Sequence, residues 1–410
     1  MATGSRVDCL TVCYQLTIEQ RGKSRQRDQL LYVKTYPDNI SRDTFREIAR
    51  HLTSSAPSGN VPDIFPERNM IVWVFPNDPK LGQLARLTDA GSAKIHLPYK
   101  HLPEGCNSPE DIQSVDIDVI RYHPEVRCTL RYHVVWGKPG QCRSIQLYAK
   151  TFLNEEGLKL FHLTRDLWEV SSQDIKFFLI AKPLDYNISL KLLWQLGLKG
   201  KPASEFMGTS RTLDCIENIA NGLAQWHSTT LPTTTLRITR DRLPVVQVKI
   251  NRLVSAFPGL EFPLQKLNVL LVDGYSHLPI MTDRPAHGSF RIKEIIECRG
   301  RLAVFDLDNA AIGDSVRDLA LFLCDLHTEY KGQLLLNKMA FCFYRTYQSK
   351  VEWSVPFEYL QWHIRVQFIK RAFWIFKHKA LLPDLERRVE KVLLTAVQCD
   401  PFGLKDCKPI

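Results

Sequence analysis

The feature that most constrains this chain is an internal echo. Leu31-Tyr32-Val33-Lys34-Thr35-Tyr36 returns as Leu147-Tyr148-Ala149-Lys150-Thr151-Phe152, with only the small apolar residue and the closing aromatic changed. Each copy follows an alternating stretch, residues 10–16 and 128–134, that reads as a strand with one buried face. Each is reached through a polar turn and leads into a helical pattern, residues 41–52 and 155–170, with Ser41 and Asn154 as N-caps. A chance six-residue match would not bring the same strand–turn–strand–helix order with it. The chain therefore contains two hairpin-then-helix units, each with a lysine near the end of its last strand.

At 410 residues there is length for two or three domains, each able to bury its own core. The breaker-rich run from His101 to Pro109 marks a boundary, so the expected organisation is 1–109, 110–185 and 186–410. Past Asp174, residues 175–181 read as a last strand and 190–196 as the first helical segment. Two short strands, 294–297 and 302–305, precede an almost continuous helical pattern from Ser315 to about Val397. Within it Trp362, Val366, Ile369, Phe373 and Phe376 form an apolar stripe expected to face a core.

The net charge of +10 comes from 54 basic against 44 acidic residues. The basic residues are dispersed, which fits a solvated surface in a mild positive field and makes nucleic acid an unlikely partner on this reading. No apolar stretch is long enough to suggest a membrane span. The polar start is unlike a secretory signal, and the 11 cysteines have no framework spacing, so the expected compartment is the reducing cytoplasm.

Four motifs follow in order. Leu223-Ala224-Gln225-Trp226-His227 resembles the Leu-Ala-x-x-His of the aminoglycoside phosphotransferase and choline kinase group. His287-Gly288-Ser289-Phe290 is similar to its catalytic His-Gly-Asp-Phe, and Phe305-Asp306-Leu307-Asp308 to its metal-binding Ile-Asp-Phe-Asp. Gly313-Asp314-Ser315-Val316-Arg317-Asp318-Leu319-Ala320 resembles its Gly-Asp-Pro-x-x-Asp-Leu-Ala. The resemblance covers residues 110–400. It implies an α+β, two-lobed protein-kinase-like fold, here with an extra N-terminal β-hairpin and helix unit, and a site for ATP and Mg2+.

Phosphoryl transfer asks a protein mainly for positioning and charge neutralisation. The resemblance places Lys150 on the nucleotide's phosphates, with Glu169 or Asp166 as its acidic partner, and His287 in the catalytic loop. It places Asp306 on magnesium, joined by Asp308 if the segment is extended, and by Glu294 where the family has Asn or Gln. Asp314 and Asp318 read as braces for backbone amides.

Three positions depart from the pattern. The family's catalytic Asp is Ser289, too weak a base to accept a substrate proton. The second metal ligand has become an acid, Glu294. The loop expected over the phosphates, His123-Pro124-Glu125-Val126, has no glycine, and Glu125 there would repel a γ-phosphate. The leading expectation is a pseudokinase that binds Mg-ATP and acts through a protein partner or regulation. The alternatives are an active phosphotransferase for a small-molecule alcohol, with Asp283 as a substitute base, and an interaction module without nucleotide.

Overall fold

The two alternating stretches form antiparallel hairpins, as the echo predicts. In the computed structural model, which describes residues 10–19, 26–37, 40–49, 62–138, 140–174, 177–230, 238–239, 241–330, 332–400 and 402, the chain divides into two compact units. One comprises residues 1–162 with 182–197, the other 163–181 with 198–410.

In the first unit, β1 (Thr11–Glu19) and β2 (Gln26–Thr35) precede α1 (Ser41–Ala49), β3 (Asp63–Phe65) and β4 (Met70–Val74). They form an antiparallel sheet of order β1-β2-β4-β3. Residues 50–52, expected to continue α1, lie outside the described residues. The Ser41 hydroxyl donates to Asn69 Oδ1 at 3.4 Å. The sheet's small core is Tyr32, Ile71 and Trp73, with Tyr32 and Trp73 paired in register and their rings stacked 6.0 Å apart.

The same unit continues through the short helices α2 (Leu84–Thr88) and α3 (Ala90–Lys94) into β5 (Ile112–His123), β6 (Arg127–Trp136) and β7 (Arg143–Phe152). Next come α4 (Glu156–Gln173), which from Leu163 onward belongs to the second unit, and then β8 (Pro183–Asn187) and β9 (Leu192–Leu196) of the first. The sheet order is β5-β6-β7-β9-β8, antiparallel throughout. Asn154 caps α4 as expected, its Oδ1 accepting from Glu156 N at 3.1 Å. Leu130, Tyr132, Val134, Leu147, Ala149 and Trp194 fill one core with Leu84 and Leu87.

The helix expected over 190–196 is instead strand β9. Leu192, Leu193 and Trp194 are all buried, so the run is apolar on both faces, and such a short apolar run carries no period that separates strand from helix. The strand expected over 175–181 is a single bridge, Leu179 to Ala303, with 175–176 outside the described residues.

The second unit is mostly helical. After β10 (Lys201–Pro202) come α5 (Thr212–Ser228), β11 (Ile238–Thr239), α6 (Leu243–Ala256), α7 (Glu261–Tyr275) and β12 (Arg284–Ala286). Then β13 (Ile295–Cys298), β14 (Arg301–Val304) and β15 (Ala311–Gly313) lead to α8 (Val316–Glu329), α9 (Gln333–Gln348), α10 (Phe357–His378) and α11 (Leu385–Gln398). The continuous C-terminal helix expected from the pattern is thus four helices. The breaks fall at Gly332, whose φ is +100°, and before Pro356 and Pro383. On α10, Trp362, Val366 and Ile369 are buried as the stripe predicts, while Phe373 and Phe376 are half-buried. Among the described residues no helix is long and apolar enough to cross a membrane.

Candidate functional site

Two loops of the second unit, 18 residues apart in sequence, are brought together by short strands. β12 pairs antiparallel with β15, Ala286 opposite Ala311, and β13 pairs with β14. The loop after β12, His287-Gly288-Ser289-Phe290, and the loop after β14, Phe305 to Asn309, therefore lie against each other. His287 Nε2 meets Phe305 O at 2.9 Å, and Asn309 Nδ2 donates to Ser289 Oγ at 2.7 Å. Phe305 N donates to Glu294 O at 2.9 Å. Gly288 has φ +76°, and a Cβ there would stand 2.1 Å from Asn309 O, so only glycine lets the loops approach this closely.

The partners define the state of His287. A carbonyl only accepts, so Nε2 carries the proton, and Nδ1 is left to accept from Ser289 N at 3.3 Å. Complete burial pushes this imidazole below its ordinary value, in keeping with the neutral form.

One carboxylate on α8 holds the loop from behind. Asp318 accepts from His287 N at 2.6 Å and from Gly288 N at 2.8 Å, and its Oδ2 lies 3.3 Å from His227 Nε2. Tyr347 OH is 2.8 Å from the other nitrogen of His227. Burial drives the Asp318 carboxyl upward, but the hydrogen bonds it makes to the His227 ring and the His287 amide outweigh it and leave the group below its ordinary value. Asp318 thus braces amides, as its sequence suggested. Asp314 does likewise, accepting from Val316 N at 3.1 Å.

Asp306 is left-handed, at φ 60° and ψ 54°, a conformation that Asp tolerates better than most residues. Leu307 to Asn309 then form a 3₁₀ turn. Residues 306–308 are therefore not the extended segment on which Asp308 was expected beside Asp306. Glu294 ends another such turn, with its side chain 15% exposed and 3.6 Å from Lys293 Nζ. Glu169 is exposed on α4, while Asp166 is half-buried and 3.7 Å from Arg165 Nε.

In the first unit, Lys150 lies in β7 opposite Thr129 and Leu193, with its ammonium 5.7 Å from the centre of the Phe152 ring. The β5–β6 turn departs from expectation. Glu125 is bound to Lys34 Nζ at 2.7 and 2.8 Å and to Lys80 Nζ at 3.0 Å, so the N-terminal sheet neutralises it. Its backbone, at φ 61°, donates to Asp78 Oδ2 at 2.8 Å, and Tyr122 OH donates to the same oxygen at 2.7 Å. Asp78 Oδ1 accepts from Lys80 N and Leu81 N. The repulsion expected of Glu125 toward a phosphate is corrected accordingly. Its carboxyl, raised by burial, is drawn below its ordinary value by the two lysines.

Sequence reasoning missed a second cluster in the helical unit. Around a cavity of about 280 Å3 stand Asp241, Asp283, Asp314, Tyr359, Trp362 and His363. His363 Nε2 is 2.9 Å from Asp314 Oδ2, and its Nδ1 is 3.4 Å from Asp241 Oδ2. Arg317 and Lys370 pair with Asp241. Burial alone would lower His363, yet the two carboxylates hold it above its ordinary value. The cluster's pairs join positions 49 to 129 residues apart, and no local motif announces such a meeting.

No family model matches the chain, and no curated protein matches it. Among solved structures the chain is similar to a choline kinase from Cryptosporidium parvum Iowa II, at 13% identity and a TM-score of 0.49, covering 76% of this chain and 95% of that one. It is also similar to the aminoglycoside phosphotransferase APH(4)-Ia, at 11% identity and 0.49, covering 71% and 95%. A third is an ethanolamine kinase from Plasmodium vivax, at 10% and 0.46, covering 75% and 87%.

Proposed function

We propose that this chain is a kinase-fold protein that has lost its catalytic base, binds Mg-ATP, and acts as a pseudokinase through regulation or a protein partner. The carrying observation is the state of Ser289. The hydroxyl stands where the motif calls for a carboxylate; it is 4% exposed and already accepts the Asn309 amide. A positioned base contributes about 10² to 10⁴-fold in rate, and a neutral hydroxyl in such a bond cannot supply it.

The residues are compatible with magnesium. Among the described residues no three acidic, His or Cys side chains are grouped to cage an ion, but magnesium in nucleotide sites takes one or two carboxylates, completing its shell with phosphate oxygens and water. Asp306 would be the protein ligand, and Lys150 would bear on the phosphates. Bound magnesium would neutralise phosphate charge, while this chain's loops, fixed by Asp318, would orient the groups around it.

An active phosphotransferase is the second reading, favoured by the cavity that Asp283 shares with Asp314 and Asp241. Ser289→Asp separates the two. If the base alone is missing, Mg-ATP turnover should rise by about 10² to 10⁴-fold in a phosphate-release assay. If the site is repurposed throughout, the substitution should leave turnover near zero while Mg-ATP still raises Tm in the unmodified protein. Robust wild-type transfer that Ser289→Asp leaves unchanged would defeat the pseudokinase reading and make Asp283→Asn the next variant. Asp306→Ala should abolish any magnesium-dependent thermal shift, which for ligand at 100 times its Kd is about 2.7 kcal/mol.

A further inference from the structure

Two stretches of the second unit contain no acidic residue. Residues 242–260 carry Arg242, Lys249 and Arg252, and residues 361–383 carry five more lysines and arginines. The first stretch is α6 with the turn after it, the second is most of α10, and the two helices pack together. Two of these cations are matched by acids from elsewhere, Lys370 by Asp241 and Arg371 by Glu329. Among the described residues Lys249, Arg252, Lys377 and Lys379 have no ion-pair partner.

Packing gathers these charges at one corner. The Lys249 ammonium lies 4.6 Å from the centre of the Phe373 ring, and the rings of Phe257 and Phe376 meet edge to face at 5.5 Å, so the ends of α6 and α10 adjoin. Lys249 is pushed below its ordinary value, first by burial and then by the charges of Arg252 and Lys377. Like charges therefore stand together here.

Each segment leaving the Phe257–Phe376 pair exposes a large apolar side chain five residues on. Phe262, at the start of α7, is 77% exposed, and Leu381, past the end of α10, is 79% exposed. Five residues span at most about 17 Å, so both belong to the same corner. The neighbouring acids Glu261, Asp384 and Glu386 are balanced along the chain by Lys266, Arg387 and Arg388, which leaves the four cations as the excess.

We propose that this corner docks the protein on an anionic membrane surface. Phe262 and Leu381 enter the boundary between head groups and acyl chains, and Lys249, Arg252, Lys377 and Lys379 hold the anionic lipid head groups. An acidic protein segment would match the cations but leave the two apolar side chains to separate contacts. A bilayer offers anionic groups and an apolar interior side by side. None of the motif residues takes part, so docking does not depend on nucleotide.

The test is sedimentation of the full chain with vesicles, either of equimolar phosphatidylserine and phosphatidylcholine or of phosphatidylcholine alone. Binding is expected to the first and not to the second, and should weaken as salt rises. Arg252→Gln with Lys377→Gln should weaken it about fivefold per charge removed. Phe262→Ser with Leu381→Ser, which leaves the charge unchanged, should weaken it about tenfold. All four positions are exposed, so both variants should keep the wild-type Tm. Should the first fail to fold, the exposed Lys379→Gln reads the same effect for one charge. The proposal is overturned if the wild type does not sediment with the anionic vesicles at low salt, if phosphatidylcholine alone binds it equally, or if either double variant binds as tightly as wild type. Binding of poly-L-glutamate without binding of vesicles would likewise overturn it and give the corner to an acidic protein partner.

Discussion

The two copies of the echo share local geometry and differ in what surrounds it. In both, the lysine lies over the aromatic ring two residues on, Lys34 at 5.5 Å from Tyr36 and Lys150 at 5.7 Å from Phe152, because alternate residues of a strand share a face. The core, however, takes opposite faces. In β2 the lysine's own face is packed, with Tyr32 wholly buried against Trp73 and Tyr122. In β7 the alternate face, Leu147 and Ala149, enters the large core, and the lysine's face is closed at its end by Phe152 against Leu158 and Phe161. A lysine on a packed face needs a carboxylate, and Lys34 has Glu125. The same six-residue pattern has thus become a structural clasp in one hairpin and a candidate phosphate cation in the other.

The largest effect should come from breaking the clasp. Lys34→Ala leaves Glu125 mostly buried with only Lys80 beside it, and should cost about 2 kcal/mol in urea denaturation, less than the ~3–5 expected when a buried pair loses its sole partner. A penalty no larger than that of Lys150→Ala would erase the distinction between the hairpins. Replacing both partners, Lys34→Met with Glu125→Met, should recover most of the loss, since apolar substitutes of similar size often equal a buried pair.

The pH dependence sharpens the same contrast. Glu125 titrates below its ordinary 4.5 in the folded chain. Its contribution is therefore fully present above pH 4.5 and is lost as pH falls through the folded value. The stability gap between wild type and Lys34→Ala should accordingly narrow below pH 4.5 and stay constant between pH 6 and 8, as followed by denaturation midpoints. A gap that widens in acid would contradict the assignment.

The smallest stability effect should be that of Lys150→Ala, within about 1 kcal/mol, the scale of a cation–ring contact. Its consequence should instead be the loss of any Mg-ATP thermal shift. If the shift survives while Tm falls by several degrees, Lys150 is the structural member of the pair.

Local order was legible in the sequence where period and punctuation agreed. Both hairpins, the Asn154 cap and the core-facing start of α10 follow from alternation, capping chemistry and spacing. The loops around His287 and Asp306 were legible through motifs, and Asp318 through its position at the start of a helix. What could not be read was set by partners far along the chain. Nothing near Glu125 indicates that Lys34, 91 residues earlier, will neutralise it, and nothing near His363 points to Asp241. β9 was misread because Leu192 to Trp194 are enclosed on both faces. The extension expected from Asp306 to Asp308 was misread because the backbone after Asp306 coils into a 3₁₀ turn.

Asp318 divides labour within the motif loop. The residue that shapes the loop stands on α8, and it grips the amides of His287 and Gly288 and the ring of His227. The residue that would do the chemistry, at 289, contributes nothing to that grip. Architecture and reactivity are therefore separable: a replacement at 289 can change what the loop offers a substrate without loosening the bonds by which Asp318 holds it.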